Sequence, residues 1–135
     1  MSDEVVRAKA ASVDRWLLRL HRAWDGNHDR LQDQTVEDAL LLNLQRSCEA
    51  CISIAMHVIA RKKLGVPQES RQAFVLLEEA GILQRELSRR MQDMVGFRNV
   101  IVHQYLELDR RILRTILDER LGDFADFTRA VGKHV

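Results

Sequence analysis

The chain has 135 residues, of which 46% are apolar and 30% charged, and its formal net charge is +1. This length and composition predict one globular domain spanning residues 1–135 and exclude an intrinsically disordered chain. The near-zero net charge excludes a globally basic nucleic-acid-binding protein, so any such site must be local.

The spacing of apolar residues predicts an all-α fold. One proline and six glycines leave little room for the tight turns of an all-β protein. We expect a first helix over about residues 4–25 and a second from near Thr35, where TVED resembles a capping box, to the sequence LGVP. A shorter third helix should cover about residues 70–80 and end at Gly81.

The fourth helix, expected from about Leu83, contains an ambiguous stretch. The sequence VIVHQYLEL begins with three β-branched residues and could form a strand, but a lone strand would leave its backbone groups unpaired. We therefore extend the fourth helix to about Gln104 and expect a fifth from about Asp109 to the end. The predicted architecture is an antiparallel helical bundle with four long helices and one short helix.

The N-terminus and the cysteine content bear on location. The N-terminal sequence has no basic region followed by an apolar run, so no secretory signal is expected. No apolar run approaches the roughly 20 residues that a membrane-spanning helix needs. Two cysteines without an export signal are typical of a reducing compartment, and we expect the cytoplasm.

The sequence CEAC, Cys48 to Cys51, resembles a metal or redox motif. Most structural zinc sites need four ligands, and a redox dithiol usually lies at a helix N-terminus that follows a strand. This pair falls in the middle of the second helix with only His57 as a nearby third ligand, so we interpret both cysteines as buried packing residues. No phosphate loop, nucleophile elbow or carboxylate cluster is present, and neither a metal nor a cofactor is expected.

The sequence GFRNVIVHQY, residues 96–105, carries the candidate chemistry. Asn99 and His103 are four apart and share a helix face, whereas Arg98 lies about 140° around the axis from His103. An imidazole and a guanidinium suit metal-free cleavage of RNA, in which the ribose 2'-OH attacks the adjacent phosphate. Because the reaction needs a base and an acid, a symmetric homodimer would supply the second histidine.

A packing interpretation of the same residues stays open. Arg98 would then pair with an acid such as Asp93, His103 would cap the helix, and Tyr105 would pack with its hydroxyl at the rim. Gly96 favours the functional interpretation slightly. A glycine within a helix costs roughly 1 kcal/mol relative to alanine and often marks a close approach by another group.

The sequence FRNVIVHQY resembles HEPN-domain proteins, specifically HepT-type toxins that pair with MNT-type minimal nucleotidyltransferase antitoxins. It matches that family's pattern of Arg, four residues, His, one residue and Tyr, including the Asn after Arg. The resemblance extends to RSCEACISIAMHVI in the second helix and to LLEEAGIL before the fourth, and it covers about residues 36–108.

The resemblance implies a homodimeric endoribonuclease that acts as the toxin of a type VII-like toxin–antitoxin system. Arg98 and His103 would form the catalytic pair in a cleft between two subunits, and Asn99 would support them. Tyr105 would be the residue that the nucleotidyltransferase antitoxin modifies with AMP, which neutralises the toxin.

Arg46 and Glu49 in the second helix are weaker candidates for lining the same cleft. A rival interpretation from another class is a noncatalytic subunit that binds substrate for a minimal nucleotidyltransferase or serves as its scaffold. A plain helical interaction module is a third possibility, and in such a module Arg98 and His103 would have no chemical function.

Overall fold

The computed structural model describes residues 3–135 as a bundle of α-helices joined by short turns. No β-strand occurs in these residues, and the predicted all-α bundle is confirmed. Two short 3-10 helices, His28–Gln32 and Tyr105–Glu107, follow the first and fourth of the helices. The helices are α1 (Glu4–Trp24), α2 (Gln34–Lys62), α3 (Ser70–Glu79), α4 (Arg85–His103), α5 (Arg110–Thr115) and α6 (Gly122–Gly132).

An aspartate, and not the predicted threonine, caps the second helix. The side chain of Asp33 accepts hydrogen bonds from the backbone N–H groups of Thr35 and Val36, at 2.9 and 3.4 Å. The helix therefore begins at Gln34, and the interpretation of TVED as its capping box is wrong. Aspartate is a somewhat better helix cap than threonine, which explains the choice.

The segment predicted as a fifth helix is interrupted. A π-helical segment, Ile116–Arg120, separates α5 from α6, so the expectation of one continuous helix from Asp109 is wrong. The wider turn of a π-helix inserts an extra residue, which resets the rotation of the helix that follows. Leu113 before the interruption and Phe124 after it are both buried as a result.

One cluster of buried side chains holds the bundle together. Helix α1 packs along α2, α3 packs against α4, and α6 contacts α1, α2 and α4. The rings of Phe74 and Phe127 meet edge to face with their centroids 5.4 Å apart, which joins α3 to α6. Within residues 3–135, no helix is both long enough and apolar enough to cross a membrane.

Both cysteines belong to this core, which confirms their interpretation as packing residues. Cys48 and Cys51 are buried and unpaired, and burial raises the pKa of each thiol well above its ordinary value. His57 is not their ligand, because its Nε2 lies 2.7 Å from the Asp3 carboxylate at the start of α1. The thiols therefore stay protonated at neutral pH and act as small apolar groups.

Candidate active site

The residues of the FRNVIVHQY motif lie on the last turns of α4 and on the turn that follows. Arg98, Asn99 and His103 are helical, and Tyr105 begins the 3-10 helix Tyr105–Glu107. The side chains of Asn99 and His103 are exposed on one side of α4, but no hydrogen bond joins them in the described part of the chain. His103 is therefore open to solvent at the helix end, and Asn99 does not orient it through a direct bond.

Arg98 points away from His103 and has no acidic partner. Its Nη2 atom is 3.4 Å from the hydroxyl of Ser70, the first residue of α3, and its Nε atom is buried without a hydrogen-bond partner. Among residues 3–135 no carboxylate forms an ion pair with Arg98, so the pairing with Asp93 that the packing interpretation required does not form. The guanidinium keeps an uncompensated positive charge.

Gly96 makes room for a second guanidinium on the same helix. A Cβ atom at this position would collide with Nη2 of Arg71, which reaches across from the first turn of α3. The close approach that this mid-helix glycine indicated is therefore made by an arginine side chain. Gly96 lies seven residues before His103, almost two full turns, so Arg71 contacts the face of α4 that carries His103, about 10 Å along the axis from it. The glycine was a signal in the sequence, but Arg71 itself was not predicted.

Tyr105 takes part in a closed set of three hydrogen bonds with the first turns of α2. Its hydroxyl donates to Oδ1 of Asp38 at 2.8 Å, and Nε2 of Gln34 donates to the tyrosine oxygen at 2.9 Å. The same Gln34 nitrogen also donates to Asp38 Oδ1 at 2.8 Å. The hydrogen bond to Asp38 is the main reason why the pKa of Tyr105 is raised. The residue is 38% exposed, so its hydroxyl is held in place but remains reachable.

An ion pair fixes the chain just after Tyr105. Nε and Nη2 of Arg110 donate to the two carboxylate oxygens of Glu37 at 2.8 and 2.9 Å. Glu37 is only 2% exposed, and its carboxylate raises the pKa of Arg110. The bidentate pair joins the start of α5 to the start of α2 and so limits where the turn carrying Tyr105 can lie.

Arg110→Ala should destabilise the fold more than its exposed position suggests. It would leave the Glu37 carboxylate buried without a partner, and we expect a Tm lower by roughly 5–10 °C in a thermal melt. Glu37→Gln should cost less, because it removes the buried charge together with the pair. Arg111→Ala is the matched control and should shift the Tm very little, since within residues 3–135 Arg111 pairs with no carboxylate except that of Asp109 at the surface. Equal shifts in Arg110→Ala and Arg111→Ala would contradict this role.

Arg46 and Glu49 lie on α2, and their proposed place in the cleft stays a prediction. The guanidinium of Arg46 lies 4.9 Å from the centroid of the Trp16 ring on α1, where Arg19 approaches the same ring at 5.0 Å. Glu49 is exposed on α2. No hydrogen bond or ion pair connects either residue to Arg98 or His103 in the part of the chain that the structure describes.

The described residues contain no cluster of the side chains that commonly bind metal ions. No group of three or more His, Cys, Asp or Glu side chains comes together within residues 3–135 in a way that could hold a metal ion. The chemistry available on the last turns of α4 and the turn that follows is that of one exposed imidazole, one half-buried guanidinium and one phenol.

Comparisons with known proteins agree with this architecture. Residues 17–131 match a family described as Ribonuclease HepT-like. The chain is 38% identical over 125 residues to the mRNA nuclease HepT of Shewanella oneidensis, covering 93% of this chain and 94% of that protein. It is 22% identical over 135 residues to the tRNA nuclease HepT of Aphanizomenon flos-aquae, covering 97% and 90%.

A solved structure shares the whole fold. The tri-AMPylated HEPN toxin of Shewanella oneidensis, solved in complex with an MNT antitoxin, superposes with a TM-score of 0.91 at 36% identity. The match covers 96% of this chain and 97% of that chain.

Proposed function

Because the chain belongs to the HepT-like ribonuclease family, we propose that it is the toxin of a toxin–antitoxin pair and cleaves RNA without a metal ion. Its partner is an MNT-type nucleotidyltransferase antitoxin, it acts in the cytoplasm, and it works as a homodimer. The observation that carries the proposal is the unpaired charge of Arg98, a half-buried guanidinium five residues before an exposed histidine.

The proposed reaction is transesterification at an RNA phosphate. His103 of one subunit accepts the proton of the ribose 2'-OH, and the 2'-oxygen bonds to phosphorus while the bond from phosphorus to the 5'-oxygen breaks. His103 of the second subunit donates a proton to that leaving oxygen. Arg98 stabilises the charge that develops on the phosphate. The products are RNA ends with a 2',3'-cyclic phosphate and a 5'-OH.

Two features of the single chain support the proposed homodimer. Each motif contains one histidine, so one chain cannot supply both the acid and the base. Because Arg98 points away from His103, one helix face cannot supply both the base and the guanidinium either. Large apolar side chains are also exposed on each side of His103, namely Val102 and Leu106, the latter 95% exposed. Such groups are what a second subunit would cover.

The antitoxin acts by transferring AMP to Tyr105. The modification would place a phosphodiester charge and a nucleoside two residues from His103, where the RNA phosphate is expected to lie. Supporting this, the related toxin of known structure is AMPylated and in complex with an MNT antitoxin. The hydroxyl of Tyr105 is also partly exposed and fixed in one orientation by its hydrogen bonds.

RNA cleavage by the purified protein in excess EDTA tests the proposed activity. We expect cleavage to continue at an undiminished rate, and the new 3' ends should be cyclic phosphates when they are analysed by end-specific sequencing. Loss of cleavage in EDTA with recovery on adding Mg²⁺ would contradict the metal-independent mechanism. A protein that binds the antitoxin but cleaves no RNA would instead be the noncatalytic scaffolding subunit.

A further inference from the structure

We propose that Asp38 is the general base for the AMPylation of Tyr105 and that Gln34 orients the phenol, so that the toxin supplies catalytic groups for its own inactivation. The inference rests on the proposed modification of Tyr105 by the antitoxin. It adds two residues of α2 to the site of that reaction, both outside the FRNVIVHQY motif.

The hydrogen bonds give each residue a distinct role. The phenol can donate only one proton, and that proton points at Asp38 Oδ1, 2.8 Å away. Gln34 donates to the phenol oxygen and to the same carboxylate oxygen, so it fixes the distance between the two. Gln34 and Asp38 are four residues apart on one helix face, and the arrangement is therefore held by the rigid start of α2.

The arrangement matches the requirement of a phenol that attacks a phosphate. The oxygen of Tyr105 bonds to the α-phosphorus of a nucleoside triphosphate brought by the antitoxin, and the bond from that phosphorus to the bridging oxygen breaks. Pyrophosphate leaves, and the phenol proton passes to Asp38, which faces solvent and can release it to water. A positioned base within hydrogen-bonding distance of the proton is what such a step needs.

The surrounding charges make this base necessary. Asp38 and, more weakly, Glu37 raise the pKa of Tyr105, so very little phenolate exists near neutral pH. Arg110 is a cation that interacts electrostatically with the phenol, but its Nε and Nη2 atoms donate to Glu37. The nucleophile is therefore a protonated phenol, and its proton must be removed during the attack.

Asp38→Asn distinguishes a base from a merely electrostatic neighbour. Asparagine keeps the shape and an oxygen that can accept the phenol hydrogen bond, but it is a far weaker base. If Asp38 acted only through its charge, the substitution would lower the pKa of Tyr105, supply more phenolate and accelerate the reaction. If Asp38 is the base, the substitution slows the reaction. The two explanations therefore predict opposite signs.

The test measures AMP transfer to the toxin under single-turnover conditions with saturating antitoxin and ATP, between pH 6 and pH 9. We expect Asp38→Asn to react about 100-fold more slowly than the wild type at pH 7. The ratio of the variant rate to the wild-type rate should then rise by about tenfold per pH unit, because only phenolate reacts without the base. Gln34→Ala should lose about tenfold with no change in pH dependence.

Glu107→Gln is the matched control, because Glu107 is an acid in the same 3-10 helix as Tyr105 but, among the described residues, only Asp38 and Gln34 form hydrogen bonds to the phenol. Its rate should equal that of the wild type. RNA cleavage by all three unmodified variants should be normal, which shows that each is folded. Transfer to Asp38→Asn at or above the wild-type rate would overturn the inference, as would equal losses in Asp38→Asn and Glu107→Gln. A wild-type protein that is never modified on Tyr105 would refute the proposed modification itself, and the inference with it.

Discussion

His103→Ala should lower the rate of RNA cleavage by at least about 1000-fold, because the substitution removes the proposed base and the proposed acid at once. Both subunits of the homodimer carry the change, so neither proton transfer keeps its side chain. His103 is exposed at the end of α4, and its replacement should leave the Tm unchanged. The measurement is the initial rate of cleavage of a labelled RNA by purified protein in EDTA.

His21→Ala provides the matched control for this result. His21 is also an exposed histidine near a helix end, on α1, and its side chain makes no hydrogen bond within residues 3–135. Its variant should cleave RNA at the wild-type rate. Equal activity of His103→Ala and the wild type would exclude His103 as the catalyst.

Mixing experiments can show whether two copies of His103 act together. Wild-type and His103→Ala chains would be unfolded, combined in chosen ratios and refolded, so that subunits pair at random. If one cleavage event needs His103 from both subunits, activity falls with the square of the wild-type fraction. A linear decrease would mean that each subunit works alone, and the proposed division into acid and base would be wrong.

Tyr105→Phe should make the toxin resistant to its antitoxin while leaving its nuclease activity intact. Phenylalanine keeps the ring but lacks the oxygen that receives AMP. The chain contains a single tyrosine, so intact-mass analysis after incubation with antitoxin and ATP gives an unambiguous result. The wild type should gain whole AMP units and lose RNA cleavage, whereas Tyr105→Phe should gain none and remain active.

The structure gives a second reason to expect that modification disables the site. An AMPylated oxygen can no longer donate to Asp38, and its phosphodiester places a negative charge beside that carboxylate. Repulsion should move the modified side chain away from α2 and towards the end of α4. Neutralisation of Tyr105→Phe by the antitoxin, without any gain in mass, would instead indicate inhibition by steric binding alone.

The positions of the helices were largely predictable, since each depends on local sequence. The apolar spacing in α1 and α2, together with the helix-ending glycine Gly81 after α3, predicted the bounds of these three helices to within about two residues. The β-branched run Val100–Val102 is helical as expected, because no strand is available to pair with it. The interruption at Ile116–Arg120 was not predictable from periodicity. The change in helix rotation that it introduces depends on how α5 and α6 pack on their neighbours.

The residues of the candidate site also fall into a part that local sequence predicts and a part that depends on tertiary packing. The histidine, the arginine and the tyrosine could be named as candidates without a structure, since their spacing along α4 and the turn after it is a local property. The sequence also indicated through Gly96 that another group approaches the helix closely, without naming that group.

The residues that surround the candidate side chains come from distant parts of the chain and could not be read from local spacing. Asp38 and Gln34 lie 67 and 71 positions from Tyr105, and Glu37 lies 73 positions from Arg110. Helical periodicity relates residues three or four apart, so it contains no information about contacts at such separations. Those contacts exist because the start of α2 packs beside the turn between α4 and α5. There the buried Glu37 carboxylate pairs with Arg110, and the Tyr105 hydroxyl donates its hydrogen bond to Asp38.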